Sequence, residues 1–374
     1  MPFPESVPTL TDGVVRLRAH SALDAERITQ QCVDAESLRW TQVPRDYTVE
    51  MAQEWVGEIA KGWDEGGDQL WAIEEVADDG TERAHRFLGS IDLRPRATGR
   101  AEVGYGLHPE GRGRGLMARA LRLICQYWFD GGGTRIDWYA ERGNFASWGP
   151  ARAAGFEFLT TLPEHVAHGD GGLVDAWFGT LGRDDAMEPR TAWITPPVLE
   201  ADGIRLRPWR DSDGESTEEP NHPSHFVPAG AIPTPATWDD WLIRRRLVMA
   251  RGTSFNWCIA DAETDVALGE VLVFVHDGAI LDSDTAELGY YLFPRARGRG
   301  AARTASRLAV GHAFASKDEG GMGLRRLMAE TAADNAASNA ILESVGFTKW
   351  GHEAAADAPD GSIGPADHWE LLRP

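Results

Sequence analysis

At 374 residues, 42% hydrophobic and 25% charged, the chain has the composition of a soluble globular protein and the length of two or three domains rather than one core. Its 58 acidic and 37 basic residues leave a net charge of −21, which opposes nucleic acid or anionic membrane and attracts a cationic partner, although such charge also serves solubility alone. No stretch approaches the roughly 18 uncharged apolar residues of a membrane span, so no membrane association is expected.

In chain order, Met1 to Leu10 shows neither a basic nor an apolar signal region, and a cytoplasmic location is expected. Asp12 to Arg18 alternates as a strand with one apolar face, and Leu23 to Trp40 reads as a helix. A strand over Ala101–Leu107 runs into the loop Arg112-Gly113-Arg114-Gly115. A helix follows over Leu116–Phe129, where Leu121, Ile124, Cys125 and Trp128 recur at helical spacing. Beyond it come Asn144 and Ser147, then Gly155-Phe156, then a closing strand around Asp175-Ala176-Trp177. Residues 183–201, charged and carrying Pro189, Pro196 and Pro197, read as an extended linker whose Trp193 and Ile194 are available to pack on a domain.

The series then starts again. Asp202 to Arg207 repeats the opening strand, and Ala286–Leu292 repeats the strand before the loop. Arg297-Gly298-Arg299-Gly300 repeats the loop 185 positions on, with Ala302–Phe314 as its helix. Asn335 and Ser338, ahead of Gly346-Phe347, answer Asn144 and Ser147 191 positions on, and Asp367-His368-Trp369 closes the series. A period of about 190 residues is a duplicated domain, since solenoid repeats run to about 20–50. The expected domains are 1–182 and 202–374, each of α/β architecture. They differ over Asp211–Pro235, where Pro220, Pro223, Pro228 and Pro233 exclude a regular helix.

Glycines at alternate positions between a strand and a helix let backbone amides converge, and the helix N-terminus adds roughly half a positive charge, so each loop reads as an anion cradle. Its arginines add charge-assisted bonds to phosphate oxygens. Neither loop has the Lys-Ser/Thr ending of a nucleotide P-loop, nor the G-x-G-x-x-G spacing with an acidic partner. The H-x-x-H pairs His165/His168 and His222/His225 lie in loop-like sequence without a third ligand, so no metal is expected. Cys32, Cys125 and Cys258 are far apart and read as buried apolar fillers.

Together the A-E-[LV]-G-Y strand, the R-x-x-G-x-[GA] loop and N-x-x-S with Gly-Phe eight residues beyond the serine resemble the signature of the GNAT acyltransferases, over residues 11–182 and 202–373. The second half matches in full through Arg297 to Ala302; the first has Met117 at the last small position, which narrows the approach for a pyrophosphate. Leu38-Arg39-Trp40-Thr41, Tyr47-Thr48 and Trp55, with N-x-x-S and the late D-x-W, resemble the Rim-type branch, whose members acetylate ribosomal-protein N-termini. The resemblance implies two tandem GNAT-type domains, each a mixed, mostly antiparallel sheet flanked by helices with a central V-shaped cleft. It implies an acyl-CoA donor, acetyl by default, and direct transfer in a ternary complex to a small-molecule amine or a protein N-terminus. A carrier-protein phosphopantetheine is the alternative donor, because the same arm would enter the same cleft. Acyl-CoA sensing without turnover is the alternative outside enzymes.

By the same resemblance the cofactor contacts fall on Leu107, Arg112, Gly113, Arg114, Gly115, Leu116, Met117 and Asn144 in the first half. In the second they fall on Leu292, Arg297, Gly298, Arg299, Gly300, Ala301, Ala302 and Asn335. Glu102 and Glu287, on the strand before each cradle, either take the ammonium proton or are solvated or ion-paired. Ser147 and Ser338 match the position that protonates the thiolate in the Rim-type branch, or else cap a helix; Pro150, tolerated in a first turn, suits a helix beginning at Ser147. The tyrosine that many GNAT enzymes place four residues before Gly-Phe is replaced by Ala151 and Leu342. Asn144 and Asn335 either bond the pantetheine amide or form a turn. The cleaner cofactor motif favours the second half as the catalytic one.

Overall fold

The computed structural model describes residues 7–64, 67–76, 86–169, 171–221, 227–228, 230–358 and 361–374. Two compact units divide the chain, Met1–Arg190 and Thr191–Pro374. The first runs β1 (Leu10–Thr11), β2 (Val15–Arg18), α1 (Ala25–Cys32), α2 (Ala35–Trp40), α3 (Val49–Asp64), β3 (Gln69–Glu75), β4 (Gly89–Ala97), β5 (Arg100–Leu107), α4 (Leu116–Asp130), β6 (Arg135–Glu141), α5 (Phe145–Ala153), β7 (Glu157–Ala167) and β8 (Leu173–Gly182). The second runs β9 (Leu199–Ala201), β10 (Ile204–Arg207), α6 (Trp238–Ala250), β11 (Ser254–Asp261), β12 (Ala267–Phe274), β13 (Thr285–Leu292), α7 (Ala301–Phe314), β14 (Arg326–Ala332), α8 (Ala336–Val345), β15 (Thr348–Asp357) and β16 (Ile363–Leu372).

The sheets have the orders β1-β2-β3-β4-β5-β6-β8-β7 and β15-β16-β14-β13-β12-β11-β10-β9. Among the described residues every pairing is antiparallel except β5 with β6 and β13 with β14. This is the mixed, mostly antiparallel α/β fold expected twice. One sheet face packs on α4 or α7. In the first unit Leu17, Ile73, Ile91, Leu93 and Ile124 are buried, and Trp71 meets Tyr127 of α4 edge-on. In the second, Leu206, Trp257, Ile259, Val271 and Val273 pack with Ala305 and Ala309. Each such aliphatic or aromatic side chain contributes about 1.5–3 kcal/mol on burial.

The turn out of each opening strand is built on the same ion pair. Arg18 donates to both Asp24 oxygens at 2.8 Å, and Arg207 donates to both Asp213 oxygens at 2.8 Å. Each carboxylate also accepts a backbone amide, from Ser21 or Arg210, so the buried charges are paired and hydrogen-bonded.

Three expectations change. The helix expected over Leu23–Trp40 is broken, because the Asp34 side chain accepts the Ser37 amide at 3.1 Å and starts a new helix there. Cys125 and Cys258 are buried fillers, but Cys32 is only half-buried. The stretch read as an extended linker is held at both ends: Arg183 donates to the Gly133 carbonyl, Ile194 is buried, and Leu199–Ala201 pairs with β10. Over Asp211–Pro235 the described residues hold one 3-10 turn, Asp211–Ser216, and no α-helix, as the prolines require; Pro223 lies outside the described residues.

Candidate functional site

Each β5–α4 and β13–α7 connection turns through two glycines with left-handed backbone: Gly113 and Gly115 at φ 69° and 72°, Gly298 and Gly300 at φ 75° and 77°. A Cβ at any of the four would meet nothing within 4 Å. Backbone twist, not crowding, therefore demands glycine, and the space beside the loop is open. Neither α4 nor α7 receives a side-chain cap, so first-turn amides face that space with the positive end of the helix dipole behind them. Met117 is 2% exposed, like Ala302 at 5%; its side chain is packed in the core, so the expected narrowing of the cradle does not occur.

The cleft itself comes from incomplete strand pairing. β5 pairs with β6 only over Arg100–Val103, and β13 with β14 only over Thr285–Glu287. Beyond those residues the strands splay, leaving Gly104–Leu107 and Leu288–Leu292 with backbone groups unpaired on that side.

On the helix side of the splay stand the serines. Asn144 Oδ1 accepts the Ser147 amide at 2.9 Å and Asn335 Oδ1 accepts the Ser338 amide at 3.1 Å. The asparagines are thus the helix caps, and the serines are the third helical residues rather than caps. Pro150 accordingly lies inside α5, not in a first turn beginning at Ser147. The sequence reading passed over Tyr105 and Tyr290, whose hydroxyls donate to the carbonyls of Ser147 at 2.7 Å and Ser338 at 3.2 Å. Burial raises both phenols, Tyr290 to about 12, so both remain protonated donors. Their repetition in the two Gly-Tyr pairs was the available signal.

The two units hold these groups differently. Ser147 Oγ accepts from Trp138 Nε1 at 3.1 Å and donates to Tyr105 at 3.3 Å, whereas the Ser338 side chain has the Tyr290 hydroxyl beside it and no indole partner. Glu102 is clamped by Arg94 at 3.2 Å and Arg96 at 3.0 Å, and Arg94 also forks onto the buried Asp92, whose carboxyl is raised chiefly by burial. Glu287 meets only His276 Nε2, at 3.1 Å. In the first loop Arg112 pairs with Asp34 at 2.7 Å and Arg114 with Glu75. In the second, Arg297 reaches the neutral Asn221 at 2.7 Å, and Arg299 makes no hydrogen bond among the described residues but lies near enough to Asp261 to favour its charged form.

A sequence profile of the acetyltransferase (GNAT) domain matches residues 15–157 and again 204–348, most of the chain. The chain belongs to the GNAT acetyltransferase family. It is an N-acetyltransferase with acetyl-CoA as co-substrate. The glycine cradles and splayed strands of its two GNAT domains fit that thioester: the cradle amides suit the diphosphate and the unpaired strand amides suit the pantetheine arm. Solved structures similar to one GNAT domain include ribosomal-protein-S5-alanine acetyltransferase from Vibrio fischeri, at 19% identity over 47% of this chain and 97% of that one, TM-score 0.40. RimJ from Mycobacterium smegmatis, in complex with CoA-disulfide, has 19% identity over 48% and 90%, TM-score 0.40. A GNAT-family acetyltransferase from Bacillus anthracis has 13% over 47% and 99%, TM-score 0.41. No curated protein matches the sequence.

The histidine pair of the first GNAT domain is otherwise engaged, His165 stacked on Tyr139 and His168 bonded to Glu141 at 2.9 Å; His222 and His225 lie outside the described residues. Among the described residues no group of three or more His, Cys, Asp or Glu could hold a metal, and no helix is long and apolar enough to cross a membrane.

Proposed function

We propose that the second GNAT domain carries the transfer, moving an acetyl group directly onto a primary amine in a ternary complex, with Glu287 as proton acceptor and Ser338 as proton donor. One observation carries this reading: the first domain's glutamate and loop arginines are held in ion pairs and its serine by both an indole and a phenol, whereas Glu287 meets only His276, Arg297 a neutral amide and Ser338 only the Tyr290 hydroxyl. When bound, acetyl-CoA supplies an activated thioester carbonyl. The chain's part is to hold it and to manage two protons. Gly298 to Ala302 offer backbone amides, and Arg299 a guanidinium without a hydrogen-bonded carboxylate among the described residues. Glu287 faces the side of β13 away from α7, where it can receive the ammonium proton. The Ser338 hydroxyl stands on the helix side beside the Tyr290 hydroxyl, without the indole that holds Ser147. Fixing amine and thioester in one cleft makes attack effectively unimolecular, worth up to about 7–11 kcal/mol in well-oriented cases.

A distinct reading applies to the first domain, favoured by the same contrast: it binds the thioester without turning it over. Coenzyme A release with an amine, measured for Ser338→Ala and Ser147→Ala, tests both. Loss with the first variant alone supports them; loss with the second alone overturns the assignment.

A further inference from the structure

Around the cleft carboxylate, strand register places four positions on the face away from α4 or α7. In the first domain Arg94 lies opposite Glu102, Asp92 opposite Gly104, Asp137 beside Glu102 on β6, and Gly106 two residues further along β5. The corresponding residues of the second are Phe274 opposite Glu287, Leu272 opposite Gly289, Met328 beside Glu287 on β14, and Tyr291. Three charged residues and a glycine are thus replaced by four large apolar or aromatic side chains, all half-buried. Phe274 also meets the ring of His276 edge-on at 5.3 Å, and His276 bonds Glu287.

From this we infer that the acceptor of the second domain is a small primary amine carrying one aromatic or branched apolar group. The inference rests on the assignment of transfer to that domain and adds the substrate class. The ammonium needs a carboxylate, and Glu287 is the one at the centre of the face. The group attached to it meets Leu272, Phe274, Met328 and the Tyr291 ring, which stabilise apolar surface and desolvate polar surface without compensation. A peptide N-terminus would press its first amide and carbonyl against those side chains. The nearest buried carboxylate is already occupied, since Glu270 takes bonds from Arg245 at 3.0 Å, Trp209 at 3.2 Å and Asn256 at 3.3 Å; the Tyr291 hydroxyl, buried beside it, makes no hydrogen bond among the described residues. The first domain's face, with Arg94 shared between Asp92 and Glu102, offers an apolar group nothing comparable.

The test uses the full chain with acetyl-CoA and three acceptors: phenethylamine, ethanolamine and the peptide Phe-Gly-Gly. Phenethylamine is expected to exceed ethanolamine in kcat/KM by about 10-fold or more, the discrimination an apolar pocket gives. The double variant Leu272→Asp/Phe274→Arg, which installs the first domain's residues, brings that ratio close to one, with a thermal melt as the check on folding. Met328→Asp lowers the same ratio independently should the double variant not fold. Ethanolamine turned over as well as or better than phenethylamine, or a ratio indifferent to these variants, overturns the inference and leaves the transfer reading standing. Turnover of the peptide but not of the free amine overturns the assignment to a small amine. No product with any acceptor, although acetyl-CoA binds, overturns the transfer reading and the inference with it.

Discussion

The two GNAT domains share a scaffold and differ in what surrounds it. Both have the Arg–Asp pair at the first turn, the two left-handed glycines, the asparagine cap and the tyrosine on the serine carbonyl. Yet Glu102, Arg112 and Arg114 are held in ion pairs and Ser147 by an indole as well as a phenol, while Glu287 meets only a histidine, Arg297 a neutral amide and Ser338 only the Tyr290 hydroxyl. A motif specifies where a group stands; its neighbours decide whether it is available to react. The motifs alone separate the halves only by Met117 in place of Ala302.

The sharpest way to break the comparison is kinetic. Ser338→Ala and Glu287→Gln should each lower kcat by about 10²–10⁴-fold, the usual contribution of a positioned acid or base, and Ser147→Ala far less. An equal loss in both halves would mean that engagement in the free enzyme does not disable a group. Next is binding: calorimetry with acetyl-CoA should show one site vanish in Gly300→Glu and the other in Gly115→Glu, since each change adds a like charge and strains a left-handed backbone. A single site lost only with Gly300 would make the first domain a scaffold.

Acid separates the units further. His20 is fully buried and bonds Ser90 at 2.9 Å, and burial holds it neutral with its pKa lowered from 6.5 to about 3. A depressed pKa contributes stability that is complete above 6.5 and is lost as the pH falls towards about 3. At pH 5 the loss is about 2 kcal/mol for the first unit. The second has Trp209 in this place, which does not titrate. Hydrogen exchange, corrected for its intrinsic pH dependence, should therefore speed up in β2 and β4 relative to β10 and β12 between pH 7 and pH 5, and His20→Phe should remove the difference. The smallest expected effect is a gain: with the second cradle blocked by Gly300→Glu, Glu75→Gln frees Arg114 and should tighten acetyl-CoA binding by about 1 kcal/mol or less, the scale of an exposed ion pair.

The cradles were legible because two Gly-Arg runs stand at one offset between the same elements. The strand and helix behind them lie within a residue of their expected bounds. Direction and competition were less legible. Met117 departs from the motif, but the second position of this helix points into the core, so the change is absorbed there. Asparagine and serine are both good caps, and only the backbone shows that Asn144 and Asn335 win the role. Asp92, Arg94, Leu272 and Phe274 belong to no motif, and it takes strand register to bring them beside the carboxylates.

The bond from Trp138 to Ser147 Oγ gives the first cleft a property the second lacks. Position 138 corresponds to Ala329, so only one of the two clefts has an indole at its serine. Any molecule that takes over that hydroxyl changes the hydrogen bond of an otherwise buried fluorophore, and the difference in emission between the native chain and Trp138→Phe isolates that change from the other tryptophans. Occupancy of the first domain can thus be followed optically, without a label, while turnover is assayed in the same sample.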